Sequence, residues 1–153
     1  MAVDFTPAST AGAWQISTPS ILGAAALYGS LKIVEEAGLE EIRAKSLDLT
    51  GWMMTLVDEW LSEPPYGFGI GTPREPERRG GHIALEHPEG VQICKALKTR
   101  GIIPDFRPPN VIRVAPSPLY TTYDDLWQLV QAIREIVDAG EHLQLSAARA
   151  AVS

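Results

Sequence analysis

Residues 107–120 read RPPNVIRVAPSPLY, and the short run at their centre decides the fold. Val111, Ile112 and Val114 favour a β-strand, and prolines on both sides limit its length. Because side chains alternate between the two faces of a strand, one face receives Val111, Arg113 and Ala115, and the other receives Ile112, Val114 and Pro116. The pattern therefore predicts a strand that carries an arginine on rigid backbone.

Arg113 is the candidate binding residue of this stretch. Its neighbours on the same face are small or apolar, and no acid lies within several residues of it along the chain. A guanidinium in such surroundings requires an anion, and its planar fork matches a carboxylate or a phosphate through two parallel hydrogen bonds. The alternative is a side chain that extends to water or donates to a nearby backbone carbonyl.

More strand and helix patterns surround this run. Strands are predicted at 66–70, 81–87 and 102–105, and Pro108 and Pro109 are expected to break the pairing between the last of these and 111–115. One helix is predicted from Pro88 to Gly101. Another begins at a capping box formed by Thr122 and Asp125 and ends at Gly140.

Two helices are predicted ahead of the strands. Residues 20–37 are apolar on nearly every side, which is typical of a buried helix, with Ser17 or Thr18 as its N-cap and Gly38 as its C-cap. Residues 39–61 carry a heptad-like seam with one polar interruption at Ser46. The seam indicates either a coiled coil or a long helix along a core or a subunit interface.

The order of these patterns predicts an α+β fold: a small, mainly antiparallel sheet covered on one face by helices, after a buried helix and a long helix. The predicted segments are an irregular lead-in (1–18), two helices (19–63), a small α/β sandwich domain (64–140) and a tail (141–153), marginally helical or frayed. With 153 residues, of which 45% are hydrophobic, the chain is long enough for one domain with its own core.

Composition excludes several classes of function. A net charge of −6 and a pI near 5.0 argue against nucleic acid or an anionic membrane as a partner. No apolar run approaches the roughly 18 residues of a membrane span, and no signal peptide is apparent. The single cysteine, Cys94, lies among apolar residues and is interpreted as a buried core thiol. The cytoplasm is therefore the expected location.

No metal site or catalytic acid pair is predicted. His82 and His87 flank a predicted strand and His142 lies in the tail, so all three are interpreted as strand-edge or surface residues. Paired acids occur in the first turns of predicted helices, where carboxylates favour the helix dipole. Those acids are Glu40, Glu41, Asp124 and Asp125.

Four stretches, in order, resemble the C-terminal part of kynureninases, which are fold-type I, class V aminotransferase-like enzymes that use pyridoxal phosphate. NVIRVAPSPLY (110–120) is similar to the family's Asn-x-Ile-Arg-Val-Ala-Pro-x-Pro-Leu-Tyr signature. WQISTPSIL (14–22) resembles the run before a buried helix, and RAKSLDLTGWM (43–53) resembles the long interdomain helix. GTPREPERRGGHIAL (71–85) resembles the Thr-Pro connection that leads into a strand.

The resemblance implies roles for three residues. Arg113 would hold the α-carboxylate of an amino-acid substrate, and Thr18, with Ser17 beside it, would lie near the cofactor across a dimer interface. In the family, the cofactor lysine and the carboxylate opposite the pyridine nitrogen belong to the large domain. No catalytic residue is therefore expected here, and the chain alone is expected to be inactive and to lack covalently bound cofactor.

The resemblance also implies a reaction and partners. The complete enzyme would hydrolyse L-kynurenine to anthranilate and L-alanine in tryptophan catabolism, as a homo-oligomer in which a large domain or second subunit completes the site. One rival is a fragment of another class V aminotransferase-type enzyme, such as a cysteine desulfurase. The other is a non-catalytic interaction module that dimerises through its helices. If Met53, Leu56 and Trp60 have lost a large-domain partner, self-association would have to cover them.

Overall fold

A computed structural model of the protein describes residues 6–15 and 17–148, which divide into two compact units. The first unit is Met1–Gly38 and the second is Leu39–Ser153. None of the described helices is both long and apolar enough to cross a membrane. The division of the chain into four segments, made from the sequence, stays a prediction.

The first unit contains a short 3-10 turn (Ala11–Trp14) and helix α1 (Ile21–Ala37). Ser20 caps α1, because its Oγ accepts a hydrogen bond from the Gly23 N–H at 3.2 Å. The predicted cap at Ser17 or Thr18 was therefore wrong, and Pro19 lies before the helix. Gly38 ends α1 at a φ of 77°, as predicted.

Helix α1 is exposed in this chain. None of its side chains is buried, although nearly every face is apolar. The prediction of a buried helix was wrong for this chain because the described part of the first unit offers no second layer of structure to cover α1.

The second unit is built on a four-stranded antiparallel sheet of order β1-β2-β4-β3. Its strands are β1 (Gly69–Ile70), β2 (Ile83–Glu86), β3 (Asp105–Arg107) and β4 (Val111–Val114). On the inner face, Ile83 pairs with Val114 and Leu85 with Ile112, and all four side chains are buried. The outer face pairs Ala84 with Arg113 and stays partly exposed. This alternation confirms the face assignment made from the sequence.

Three helices form a core with the inner face, which confirms the α+β class and the antiparallel sheet. They are α2 (Leu39–Trp60), α3 (Gly90–Thr99) and α4 (Tyr123–Asp138). The α2 seam lies along this core, where Met53 and Leu56 are fully buried. The Trp60 ring packs edge-on against Trp127 of α4, with the ring centroids 5.5 Å apart. The expectation that self-association must cover these residues was therefore wrong for Met53 and Leu56, which the chain itself buries, whereas Trp60 stays 39% exposed.

Strands β3 and β4 form a hairpin, which the sequence did not predict. Pro108 and Pro109 lie in its turn instead of breaking the pairing, and Asp105, Phe106 and Arg107 pair with Arg113, Ile112 and Val111. The N-terminus of α3 lies directly against this hairpin. A Cβ on Gly90 would come within 3.1 Å of the Asn110 carbonyl oxygen, so glycine permits the contact.

The end of the second unit is held by specific contacts. Thr122 and Asp125 form the predicted capping box of α4, and Gly140 follows the helix at a φ of 65°. A 3-10 turn, Glu141–Gln144, then buries His142. Further along, the Lys95 ammonium donates to the carbonyl oxygens of Ser146 and Ala148, each at 2.6 Å.

Candidate functional site

Arg113 occupies the third position of β4, on the outer face of the sheet. Its cross-strand neighbours are Ala84 on β2 and Asp105 on β3. The small Ala84 leaves space on one side, and the Arg113 side chain is 38% exposed. The sheet thus presents a guanidinium on a rigid strand with access to solvent, as the sequence predicts.

Asp105 is the partner that sequence reasoning missed. The Nη2 of Arg113 donates to its Oδ2 at 2.5 Å, and the Nε of Arg107 donates to the same oxygen at 2.8 Å. The expectation that Arg113 lacks an acidic neighbour was wrong because hairpin pairing brings residue 105 opposite residue 113. The sequence contained a signal for this cluster, because Asp105 and Arg107 stand two positions apart directly before the double proline. Residues two positions apart share one face of a strand.

The charges around Asp105 keep it ionised. Desolvation raises the pKa of this carboxyl, but hydrogen bonds and charge from Arg107, together with the charge and hydrogen bond of Arg113, more than offset it and lower the pKa below its ordinary value. The cluster of Arg107, Asp105 and Arg113, here called the arginine triad, thus holds two positive charges and one negative charge at neutral pH.

A cleft of about 290 Å³ opens beside Arg113. Its walls are mostly apolar, and its polar lining comes from Arg113, Asp105, Thr121 and Asp125. The Asp125 Oδ2 accepts from the backbone N–H and the hydroxyl of Thr122, each at 2.7 Å, and these bonds lower the pKa of Asp125. The arrangement suits a small molecule with a carboxylate and an apolar part. The apolar lining is Ile102, Ile103, Pro104, Val114, Ala115, Pro116, Leu126 and Leu129.

A second concavity, of about 610 Å³, lies along α2 and contains Arg79. This arginine is committed to the fold, since it donates to the Thr50 hydroxyl at 3.2 Å and to the carbonyl oxygens of Leu47 and Arg74. Among the described residues, the side chain of Arg113 donates only to Asp105. Arg113 therefore keeps more donors for a ligand than Arg79 does.

Thr18 and Ser17 belong to the first unit, whereas Arg113 belongs to the second. Both residues are exposed and line a shallow concavity with Gly12, Gln15 and Pro19. The Gln15 side-chain amide donates to the Ser17 carbonyl oxygen at 3.1 Å. Because Ser20 caps α1, the interpretation of Thr18 as a helix cap is excluded, and neither hydroxyl has a hydrogen-bond partner among the described residues.

His142 contradicts the prediction of a strand-edge or surface histidine, whereas His87 lies at the end of β2 as predicted but is not on the surface. His82 is exposed as predicted, but His87 and His142 are buried. The Nδ1 of His142 lies 3.2 Å from the Ile136 carbonyl oxygen, and its Nε2 lies 3.0 Å from the Oε2 of Glu89. Within residues 6–15 and 17–148, no three histidine, cysteine or acidic side chains are grouped to hold a metal ion.

Cys94 is buried in the core, which confirms its interpretation as a core thiol. Its exposure is 3%, and desolvation raises its pKa to about 11. A thiol with so little thiolate at neutral pH is a poor nucleophile. Cys94 thus plays no part in the candidate site.

Fold and site together define a class: a small α+β domain that presents a partly exposed arginine on the open face of an antiparallel sheet. The family model described as "Kynureninase C-terminal domain" matches residues 42–133. The chain belongs to this family, which confirms the resemblance seen in its sequence.

Curated relatives agree with this assignment. Kynureninase from Geobacillus thermodenitrificans is 51% identical over 149 residues, which cover 97% of this chain and 34% of the relative. Kynureninase from Bacillus thuringiensis subsp. konkukian is 50% identical over 148 residues, with the same two coverages. The enzyme from Shouchella clausii is 52% identical over 132 residues, or 86% of this chain and 30% of the relative. The chain thus spans about a third of the length of these relatives.

Proposed function

We propose that this chain forms the C-terminal part of an enzyme that hydrolyses L-kynurenine to anthranilate and L-alanine. In this proposal, Arg113 binds the α-carboxylate of the amino-acid substrate. A large domain or a second subunit supplies the rest of the site, the assembly is a homo-oligomer, and the enzyme acts in the cytoplasm. The chain alone is inactive.

One observation carries the proposal: Arg113 stands on a paired strand beside a cleft that is otherwise mostly apolar. Its guanidinium retains donors for a carboxylate, and the strand limits the positions that the guanidinium can take. The apolar walls provide a surface for an aromatic or aliphatic part of the substrate. The choice of L-kynurenine as the substrate rests on the family match and on relatives named kynureninase.

The residues present fit the edge of a pyridoxal phosphate site. When bound, the cofactor supplies the electron sink that weakens bonds at the α-carbon of an amino acid. Thr18 and Ser17 offer hydroxyls that are unpaired among the described residues and that suit a phosphate or a ring substituent. The four lysines, Lys32, Lys45, Lys95 and Lys98, all lie in helices, unlike the cofactor lysine of the family, and the Lys95 ammonium is held by two carbonyl oxygens. We assign covalent attachment of the cofactor, and all catalytic groups, to the large domain.

The rivals from the sequence analysis keep distinct tests. A class V aminotransferase-type parent other than kynureninase would act on another amino acid, such as cysteine, and the family match argues against it. A non-catalytic interaction module would leave the Arg113 cleft without a role. It would also be recovered with partners unlike any pyridoxal enzyme.

A chimera tests the proposal directly. The corresponding C-terminal third of the Geobacillus thermodenitrificans enzyme is replaced by this chain, and anthranilate release from L-kynurenine is followed by fluorescence. We expect turnover in the chimera and none in the chain alone, which should also give no Schiff-base absorbance with pyridoxal phosphate. Arg113→Gln should lower kcat/KM about a hundredfold, since losing a charge-assisted pair costs about 3 kcal/mol.

The controls separate charge from fork geometry and from folding. Arg113→Lys keeps the charge but lacks the planar guanidinium, so its kcat/KM should lie between those of the unchanged chimera and the Arg113→Gln chimera. Arg78→Gln removes an exposed arginine whose ion pair with Glu75 spans 3.7 Å, and it should leave kcat/KM unchanged. Full activity of the Arg113→Gln chimera would refute the role of Arg113.

A further inference from the structure

We propose that Arg107 sets the carboxylate affinity of Arg113 by sharing Asp105 with it, which makes Arg107 a positioning residue. This inference rests on the proposed function, because it assumes that Arg113 binds the substrate carboxylate. It assigns a role to two residues, Arg107 and Asp105, that lie outside the NVIRVAPSPLY run.

The geometry of the arginine triad is the first support. Asp105 stands directly across from Arg113 in the hairpin, and Arg107 lies two positions further along β3, on the same face as Asp105. Both guanidinium groups donate to one oxygen, Oδ2 of Asp105. Among the described residues, neither arginine has a second acidic partner. The two arginines therefore divide one negative charge between them.

Charge balance gives the second support. The lining of the cleft contains two acids, Asp105 and Asp125, and one cation, Arg113. An incoming carboxylate would meet repulsion from both acids if Asp105 neutralised Arg113 completely. Arg107 offsets part of the Asp105 charge from outside the lining, so Arg113 retains attraction for a carboxylate.

The free donors of Arg113 give the third support. Its Nη2 is the only side-chain atom that donates to a described residue, which leaves Nε and Nη1 unused. A guanidinium tethered through one nitrogen loses less rotamer freedom when it binds a second carboxylate. Asp105 thus orients Arg113, and Arg107 prevents Asp105 from cancelling its charge.

The test uses the 153-residue chain and a small probe. Sodium butyrate is titrated at constant ionic strength and pH 7, with neutral butyramide as the matched control, and the side-chain Nε–H resonance of Arg113 is followed by NMR. Four variants accompany the wild type: Arg107→Gln, Asp105→Asn, the double variant with both changes, and Arg113→Gln, which is followed through backbone amides of β4. We expect saturable binding of butyrate and none of butyramide.

The variants carry the distinctive expectations. Arg107→Gln should weaken butyrate binding about two- to fivefold, the size usual for exposed ion pairs. Adding Asp105→Asn should restore at least wild-type affinity, because Arg113 then has no acid to neutralise it. Asp105→Asn alone should bind as tightly as wild type or more tightly, because the amide oxygen can still accept the hydrogen bond that orients Arg113 but carries no negative charge. A role confined to hairpin stability predicts instead that all three variants weaken binding together.

Each other outcome is decisive. Unchanged affinity in Arg107→Gln, with loss in Arg113→Gln, overturns this inference and leaves Arg113 as the carboxylate site. Failure of the double variant to restore binding also overturns it, since Arg107 would then contact the anion itself. Absence of butyrate binding in the wild-type chain, or binding that survives Arg113→Gln, also overturns this inference, whereas the role of Arg113 in the complete enzyme is decided separately by the Arg113→Gln chimera.

Discussion

At the scale of single residues, His87 shows how burial alters a titrating group. Its ring stacks on Phe68 with centroids 4.6 Å apart, and its Nδ1 accepts a hydrogen bond from the Glu89 N–H at 3.1 Å. Desolvation lowers the pKa of His87, an effect that a backbone hydrogen bond at Tyr66 and the charge of Glu89 only partly oppose. Burial therefore favours the neutral imidazole.

This environment predicts a pH dependence of stability. The folded pKa lies below the ordinary value of 6.5, so the unfolded chain gains the proton first as the pH falls. The contribution of His87 is complete above pH 6.5 and is lost as the pH falls towards the folded pKa, with a slope of at most about 1.4 kcal/mol per pH unit. Urea unfolding between pH 5 and 7.5 measures it.

Matched variants isolate this contribution. His87→Asn retains an acceptor for the Glu89 N–H but does not titrate, so the free energy of unfolding should depend less on pH than in the wild type. His82→Asn changes an exposed histidine and should keep the wild-type pH dependence. A wild-type slope in His87→Asn would show that other groups cause the dependence.

At the scale of elements, the capping box of α4 is a local device with a measurable contribution. The Thr122 hydroxyl accepts from the Asp125 N–H at 3.2 Å, and the Asp125 carboxylate accepts from the Thr122 N–H at 2.7 Å. Thr122→Ala should therefore lower the free energy of unfolding by about 1 kcal/mol in urea titrations followed by circular dichroism. Thr55→Ala, on an exposed face in the middle of α2, should change it by less than about 0.5 kcal/mol. Equal losses in both variants would contradict the assignment.

Elements fixed by local chemistry could be predicted from the sequence, and those fixed by pairing could not. The box at Thr122 and Asp125 and the alternation of Ile112 and Val114 depend on residues a few positions apart, and both predictions are confirmed. The β3–β4 hairpin was missed because a double proline interrupts strand patterns but also fits a turn. The partner of Arg113 was missed with it.

At the scale of the whole molecule, the sequence predicts where apolar residues lie but not what covers them. The α2 seam and the α1 pattern both favour burial, yet only the middle of the seam, from Leu49 to Leu56, is buried in the core, while α1 is left exposed. Burial depends on a second surface, which no single helix specifies. The strand position of Arg113 could be predicted from its neighbours, but its role in binding, like the roles of Thr18 and Ser17, rests on the family resemblance and stays a prediction.

The exposed apolar surface of α1 predicts self-association of the chain. Leu27 and Leu31 lie one turn apart and are 59% and 52% exposed, and large apolar patches are rare on stable monomers. Sedimentation should show a mean mass that rises with protein concentration. The double variant Leu27→Glu, Leu31→Glu should reduce this rise, because burying a carboxylate is unfavourable. Ile103→Glu, at a 79% exposed residue of the second unit, should leave the association unchanged. A wild-type monomer at every concentration, without binding of a dye specific for apolar surface, would show that α1 is not a contact surface in this chain.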